Sequence, residues 1–137
     1  MRKLDQRGVA ALEFGVVALP FLVLMFATFD LGRYALTKQS LHKLANAGGR
    51  AWMICYQNDV IQGQATTNCN GDGVPDSVKK SIVPLLFAGG LKPKLSATQA
   101  GSLATVTASQ PDFTMLFFPK LWGAAFVAPS ASTKIPF

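Results

Sequence analysis

Near its start the chain carries a long apolar run over residues 9–29, in which the only ionisable side chain is that of Glu13. As an α-helix this run would be about 31 Å long at roughly 1.5 Å per residue, which matches the hydrocarbon thickness of a bilayer. A carboxylate in such a segment costs roughly 2.5–3.5 kcal/mol on insertion scales. The pattern therefore predicts a membrane-spanning helix in which Glu13 serves a purpose.

An amphipathic helical pattern continues beyond the run to residue 56. Within it, Gly48 and Gly49 each weaken a helix by about 1 kcal/mol relative to alanine, and Pro20 should kink the membrane portion. We predict one helix over residues 9–56, about 70 Å long. Its apolar or small positions recur mostly at spacings of three and four, as on one helix face: Leu31, Tyr34, Leu41, Leu44, Ala45, Gly48, Trp52 and Cys55.

The middle of the chain has weaker patterns. Residues 57–76 are rich in Asn, Gly, Thr and Asp, which predicts a loop. Residues 77–86 predict a short helix that is capped by Ser77 or Asp76 and limited by Pro84.

Strands are expected at residues 103–109, which are small and β-branched, and at residues 113–118 and 126–128. Together these elements predict an α+β fold, in which a small antiparallel sheet packs on the second half of the long helix. The apolar stretch 115–127 is too short for a second membrane span, so we expect it in the core or as a contact patch for lipid or a neighbouring subunit. Three residues interrupt its apolar character: Pro119, Lys120 and Gly123.

The net charge of +6 does not indicate a nucleic-acid binder. Arg2, Lys3 and Arg7 directly precede the apolar run, which by the positive-inside rule leaves the N-terminus in the cytoplasm and the remainder translocated. The other cations are scattered, with only Lys79 and Lys80 adjacent. Neutralising a row of phosphates needs a concentrated basic patch, so nucleic-acid binding is disfavoured.

If the chain beyond the span is translocated, its two cysteines, Cys55 and Cys69, lie in an oxidising compartment. In an oxidising compartment such a pair commonly forms a disulfide, and closing a loop of about 15 residues is worth roughly 3 kcal/mol. Two unpaired thiols are the alternative. A redox-active pair is disfavoured because the chain has no Cys-x-x-Cys motif.

The loop region contains a weak candidate for a calcium site. Oxygen-bearing side chains at loop positions 1, 3, 5 and 9, with glycine at position 6, are similar to an EF-hand-like loop. Position 12 is Lys79 in place of a bidentate carboxylate, and position 1 is Asn rather than Asp, so an ordinary Asn/Asp-Gly turn is the stronger interpretation. The candidate ligands are Asn68, Asn70, Asp72 and Asp76.

Catalysis has little support in the sequence. His42 is the only histidine, and the carboxylates form no recognisable catalytic motif. We expect neither an enzyme nor a cofactor.

Residues 8–14, GVAALEF, carry a family resemblance. They are similar to the processing site of type IVb pilins of the Flp (tight-adherence) class, a glycine followed after four residues by Glu and an aromatic. The continuation resembles the TadE-like family of minor pilins or pseudopilins. The elements that match its N-terminal helix are Arg7-Gly8, residues 9–12, Glu13-Phe14, the run containing Pro20, Asp30 to Arg33, and Leu44 to Ala47.

The resemblance implies that a prepilin peptidase cuts after Gly8 on the cytoplasmic face and leaves Val9 as the new N-terminus. The anion of Glu13 could then meet the Val9 amine of a neighbouring, axially staggered subunit, and Phe14 belongs to the same assembly motif. Because mutual neutralisation offsets desolvation, such a pair would set the register of a bundle. In the alternative, Glu13 of an uncleaved anchor extends toward the cytoplasmic headgroups.

The implied organisation is a cytoplasmic leader (1–8), a transmembrane assembly helix (9–30) and a periplasmic pilin-like domain (31–137). The protein would reside in the bacterial inner membrane and join a pilus or its assembly complex. Its partners would be other pilin and minor pilin subunits, the prepilin peptidase and the inner-membrane assembly platform. The competing hypothesis is an uncleaved single-span protein with a periplasmic binding domain, weakly calcium-binding.

Overall fold

The computed structural model describes residues 6–63, 69–117 and 128–137, with residues 6 and 7 described by their backbone alone. Its main element is α1, Gln6–Gln62, a helix of 57 residues that is roughly 85 Å long at about 1.5 Å per residue. Gly63 follows it with a left-handed φ of 66°, and its N–H donates to the Val60 carbonyl at 3.2 Å. Glycine adopts this conformation at low cost, so the helix ends there. The loop predicted from residue 57 therefore begins six residues too early.

A short α2, Asp76–Ile82, is followed by a 3₁₀ segment, Pro84–Gly90. The predicted helix over 77–86 is thus correct only in its first part, because Val83 precedes a proline and adopts a non-helical φ of −136°. Pro75 occupies the N-cap position, and no side chain in the described part of the chain caps the helix. The predicted caps, Ser77 and Asp76, are wrong.

Within the described ranges, three antiparallel strands form a sheet in the order β1-β2-β3: Lys94–Ala100, Leu103–Ser109 and Ser130–Pro136. β2 coincides with the strand predicted at 103–109. The strands predicted at 113–118 and 126–128 are wrong over their described residues, since 113–117 are irregular and Ala128 has a φ of 52° outside β3. Phe118, Phe126 and Val127 lie outside the described residues.

β1 and β3 were not predicted because each places few apolar residues on its buried face. Leu95 and Ala97 are buried in β1, and Ala131 in β3. Both strands pair along their whole length with β2, whose buried residues alternate with half-exposed ones. A Gly101-Ser102 turn joins β1 to β2, and Gly101 has the positive φ (61°) that the first position of a type II′ turn requires.

The core lies between the sheet and the second half of α1. The predicted helix face is confirmed from residue 41 to residue 52, whereas Leu31 is exposed and Tyr34 is half-buried. The expectation of an α+β fold with a small antiparallel sheet on a long helix is confirmed. The main buried residues between the two layers are Leu41, Leu44, Ala45, Trp52, Leu95, Ala104, Val106 and Ala108.

The two adjacent glycines of α1 allow the sheet to approach the helix closely. A Cβ at Gly48 would lie 2.7 Å from Leu95 Cδ2 and 3.1 Å from Val106 Cγ1, and one at Gly49 would lie 2.8 Å from Ile135 Cδ1. Glycine at these two positions lowers the helix propensity of α1, but it allows close contact between the helix and the sheet.

Candidate assembly site on the N-terminal helix

The first part of α1 projects away from the sheet with its apolar side chains exposed. Among the described residues, α1 is the one helix that is long and apolar enough to cross a membrane. None of the residues in its most apolar stretch is buried within the chain. Such a helix fits a single-pass membrane protein.

Glu13 lies on this exposed apolar surface, one helical turn beyond Val9. Residues four apart share a helix face, so the Cα atoms of Val9 and Glu13 lie about 6 Å apart along the helix axis. Among the described residues, no hydrogen bond or ion pair reaches Glu13. Phe14 beside it is likewise exposed. The geometry leaves the carboxylate and its aromatic neighbour open to contact from another molecule.

α1 is continuous through Gly8 and Pro20, the predicted processing site and the predicted kink. Nothing lies within 4 Å of a Cβ built at Gly8, so no tertiary contact of the described chain requires a glycine there. Pro20 lies inside α1 without ending it, and the kink stays a prediction. Arg2 and Lys3 of the basic leader lie outside the described residues.

Asp30 marks the point at which α1 changes from an exposed helix to a packed one. Its side chain is fully buried, and its two carboxylate oxygens accept the backbone N–H groups of Leu116 and Phe117, both at 3.1 Å. One turn later, the Arg33 guanidinium lies 5.7 Å from the centroid of the Phe113 ring. These contacts attach the segment after β2 to the helix. The sequence pointed to Asp30 only as part of a motif; the signal for its role was an acidic residue directly after a membrane-length apolar run.

The predicted disulfide between Cys55 and Cys69 is present and ties the end of α1 to the segment before α2, with 5.7 Å between the Cα atoms. Asp59 places a carboxylate oxygen 3.1 Å from the Cys69 sulfur, and the three side chains together have metal-ligand spacing. Metal binding by cysteine needs free thiolates, so the oxidised pair is not available for it.

In the loop that is the weak calcium candidate, the cation beside the carboxylates is a lysine side chain. The buried ammonium of Lys79 donates to Asp72 Oδ2 and, at 3.0 Å, to Asp76 Oδ1. Burial lowers the pKa of Lys79, but the two hydrogen bonds and the attraction of both carboxylates outweigh burial and raise the pKa above 10.5. The ammonium of Lys79 therefore binds both carboxylates that calcium would need and offsets part of their charge. Asn68 lies outside the described residues.

Around these carboxylates the chain forms a backbone-paired turn. The N–H of Gly71 donates to the Ala97 carbonyl and the N–H of Ala97 donates to the Gly71 carbonyl, each at 3.0 Å. This pairing extends the edge of β1 directly after Asn70. The geometry favours the turn interpretation over a cation loop.

Comparison with known proteins adds evidence for one part of the chain. No curated protein and no solved structure matches it. Residues 8–50, the part of α1 that carries Gly8, Glu13 and Asp30, match the family model described as TadE-like protein, the family that the sequence motifs resemble.

Proposed function

We propose that this chain is a minor pilin or pseudopilin of a Flp/Tad-type type IVb pilus. The TadE-like family is associated with Tad pilus components. The observation that carries the proposal is an apolar helix, exposed along most of its surface, whose Glu13 carboxylate has no hydrogen bond or ion pair among the described residues. Such a helix is unfavourable in water as a monomer and suits a bundle in lipid or in a fibre.

Three parts with separate roles follow from this proposal. The leader, residues 1–8, stays in the cytoplasm until a prepilin peptidase removes it after Gly8. Residues 9–30 hold the protein in the inner membrane and pack against other subunits. Residues 31–137 form a periplasmic domain that contacts other pilins and minor pilins and the assembly platform.

Glu13 gives this assembly its register. Cleavage creates a cationic amine on Val9, which neutralises the Glu13 carboxylate of a neighbouring staggered helix. The pair is favourable only when both charges meet, since either one alone in lipid carries its full desolvation cost. The small residues of the span permit the close helix approach that such contact requires: Ala10, Ala11, Gly15, Ala18 and Ala27.

Cleavage is tested by co-expressing the full chain with a prepilin peptidase and sequencing the N-terminus of the product. We expect a chain that starts at Val9, and we expect Gly8→Arg to block the cut. Because space around Gly8 is open, the arginine acts on recognition by the peptidase rather than on the fold. Gly32→Ala, which also has open space, serves as the control and should be cut normally. A full-length product in the presence of active peptidase would refute the pilin assignment.

The register role is tested with Glu13→Ala and Glu13→Gln. Both variants should insert into membranes at least as well as the parent chain, because a charge has been removed from the span. Both should fail to co-purify with partner subunits, and Glu13→Gln separates loss of charge from loss of side-chain size. Normal assembly of Glu13→Gln would show that the charge does not set the register.

A further inference from the structure

The irregular segment after β2 lies at the end of the apolar part of α1. The rings of Phe26 and Phe117 stack with 4.5 Å between their centroids and an interplanar angle of 17°. Phe26 precedes Phe29, the last residue of the apolar run, by three residues, or about 4.5 Å along the helix. Phe117 therefore lies at the level of the last helical turn of the membrane span.

The apolar side chains of this segment divide into a buried pair and an exposed pair. Phe113 and Met115 are buried. Leu116 and Phe117 are 62% and 46% exposed, next to the part of α1 whose side chains are themselves exposed and apolar. Two neighbouring large apolar side chains left open at this height extend the surface of the span rather than the core of the folded domain.

Two backbone N–H groups of this segment are hydrogen-bonded within the protein and do not need water as an acceptor. A loop can approach lipid only if its N–H groups are hydrogen-bonded, because lipid supplies no acceptor in the hydrocarbon region. The buried Asp30 carboxylate accepts the N–H groups of Leu116 and Phe117, the same two residues whose side chains are exposed.

A cation lies on α1 just beyond the level of this apolar pair. Arg33 is exposed and is four residues, about 6 Å, beyond Phe29, which is the level of the lipid headgroups. The Phe113 ring lies 5.7 Å from its guanidinium. An arginine held at this height is positioned for lipid phosphates, with the apolar pair below it.

We propose that Leu116, Phe117 and Arg33 form a membrane-contact surface that rests on the outer leaflet of the inner membrane. The two apolar side chains enter the boundary between headgroups and acyl chains, and Arg33 binds phosphate. The contact, made through a loop fastened to α1 by Asp30, sets the tilt of the periplasmic domain relative to the membrane before assembly. The proposal rests on the membrane location of α1 that forms part of the proposed function.

The test uses the full chain, with its disulfide intact, in phosphatidylcholine/phosphatidylglycerol vesicles. A spin label is attached through Leu116→Cys, and its collision rates with oxygen, which enters lipid, and with a nickel chelate, which stays in water, are compared. Val17→Cys in the middle of the span is the lipid reference. Ile61→Cys, at a site 82% exposed near the far end of α1, is the aqueous reference.

We expect the label at residue 116 to favour oxygen over the chelate by at least severalfold relative to residue 61, and to keep this preference when the protein-to-lipid ratio is lowered tenfold. A label at residue 116 as accessible to the chelate as that at residue 61, with residue 17 in lipid, would overturn the membrane contact alone. Loss of protection on dilution would assign the surface to a second copy of the chain and also overturn it. An aqueous label at residue 17 would remove the membrane span, and with it the proposed function.

Discussion

Asp30 shows how a single side chain can join two parts of this molecule. A buried carboxylate is costly unless hydrogen bonds replace its hydration, and here two backbone N–H groups do so. The contact joins residues 86 and 87 positions apart in the chain, which is why its energy stabilises tertiary structure rather than the helix itself.

Asp30→Ala should lower the free energy of unfolding by about 2–4 kcal/mol, because two charge-assisted hydrogen bonds are lost and their donors remain partly buried. Asp30→Asn keeps one acceptor oxygen and should lose less. The measurement is thermal or denaturant unfolding of the full chain in detergent, with the exposed Asp112→Ala as the matched control. Equal effects of Asp30→Ala and Asp112→Ala would contradict this role.

Lys79 predicts a specific pH dependence. Its pKa in the folded chain is raised above 10.5, so the native state holds the proton more tightly than the unfolded state. The stabilisation is fully present below pH 10.5 and is lost as the pH rises through the folded pKa. The difference in unfolding free energy between the parent chain and Lys79→Met should therefore be constant from pH 8 to about 10 and shrink above that. A difference that grows in alkali would exclude this linkage.

Among the elements, α1 combines two helical surfaces with opposite requirements. Its first part needs exposed apolar side chains, whereas its second part needs small residues where the sheet packs. Gly48 and Gly49 satisfy the second requirement, but the sheet side chains that face them differ in how far they can move. Leu95 and Val106, which face Gly48, are buried in the core, while Ile135, which faces Gly49, is half-buried.

Alanine substitutions along α1 should therefore differ in sign. Gly32→Ala meets open space and should gain up to about 1 kcal/mol of helix propensity. Gly49→Ala should be close to neutral, since only the end of the Ile135 side chain must move. Gly48→Ala should lose up to about 2 kcal/mol, because overpacking of about 1–3 kcal/mol exceeds the gain in propensity. Denaturant midpoints measure the order, and a Gly48→Ala variant as stable as Gly32→Ala would contradict close packing.

At the scale of the whole molecule, the disulfide and an aromatic cluster secure the far end of α1. Cys55 and Cys69 are 14 residues apart, and their bond fixes the return of the chain toward α2. The Phe137 ring packs on Trp52 and Tyr56, with 5.1 and 4.7 Å between ring centroids, and holds the end of β3 on the same helix. The folded domain is thus fastened to α1 at both ends, by Asp30 near the span and by these contacts at the far end.

Replacing both cysteines with serine should lower the free energy of unfolding by about 3 kcal/mol, the loop-closure value for a loop of about 15 residues. The measurement is denaturant unfolding of the parent and double variant with and without a reductant. Reduction should bring the parent to the level of the variant and leave the variant unchanged. A parent whose stability does not respond to complete reduction would exclude this contribution.

The sequence alone determined those features that depend on local pattern. The apolar run, the helix face from Leu41 to Trp52, the strand Leu103–Ser109 and the pairing of the two cysteines follow from periodicity, side-chain branching and the number of cysteines. So does the isolation of Glu13, since one carboxylate in an apolar run is visible without coordinates. These features need no knowledge of distant neighbours.

The tertiary structure decided everything that depends on which distant residues meet. β1 and β3 have few apolar residues and become strands because β2 offers partners along their whole length. The more apolar residues 113–117 are irregular, and the N–H groups of Leu116 and Phe117 donate to Asp30 in place of a neighbouring strand. Lys79 stands between two carboxylates that, in sequence, resemble ligands for calcium. Those carboxylates are only three and seven residues from Lys79, but the fold buries the lysine side chain against them. For the strands and for the Asp30 contact, pairing with other elements outweighs local propensity, which is worth about 1 kcal/mol or less per residue.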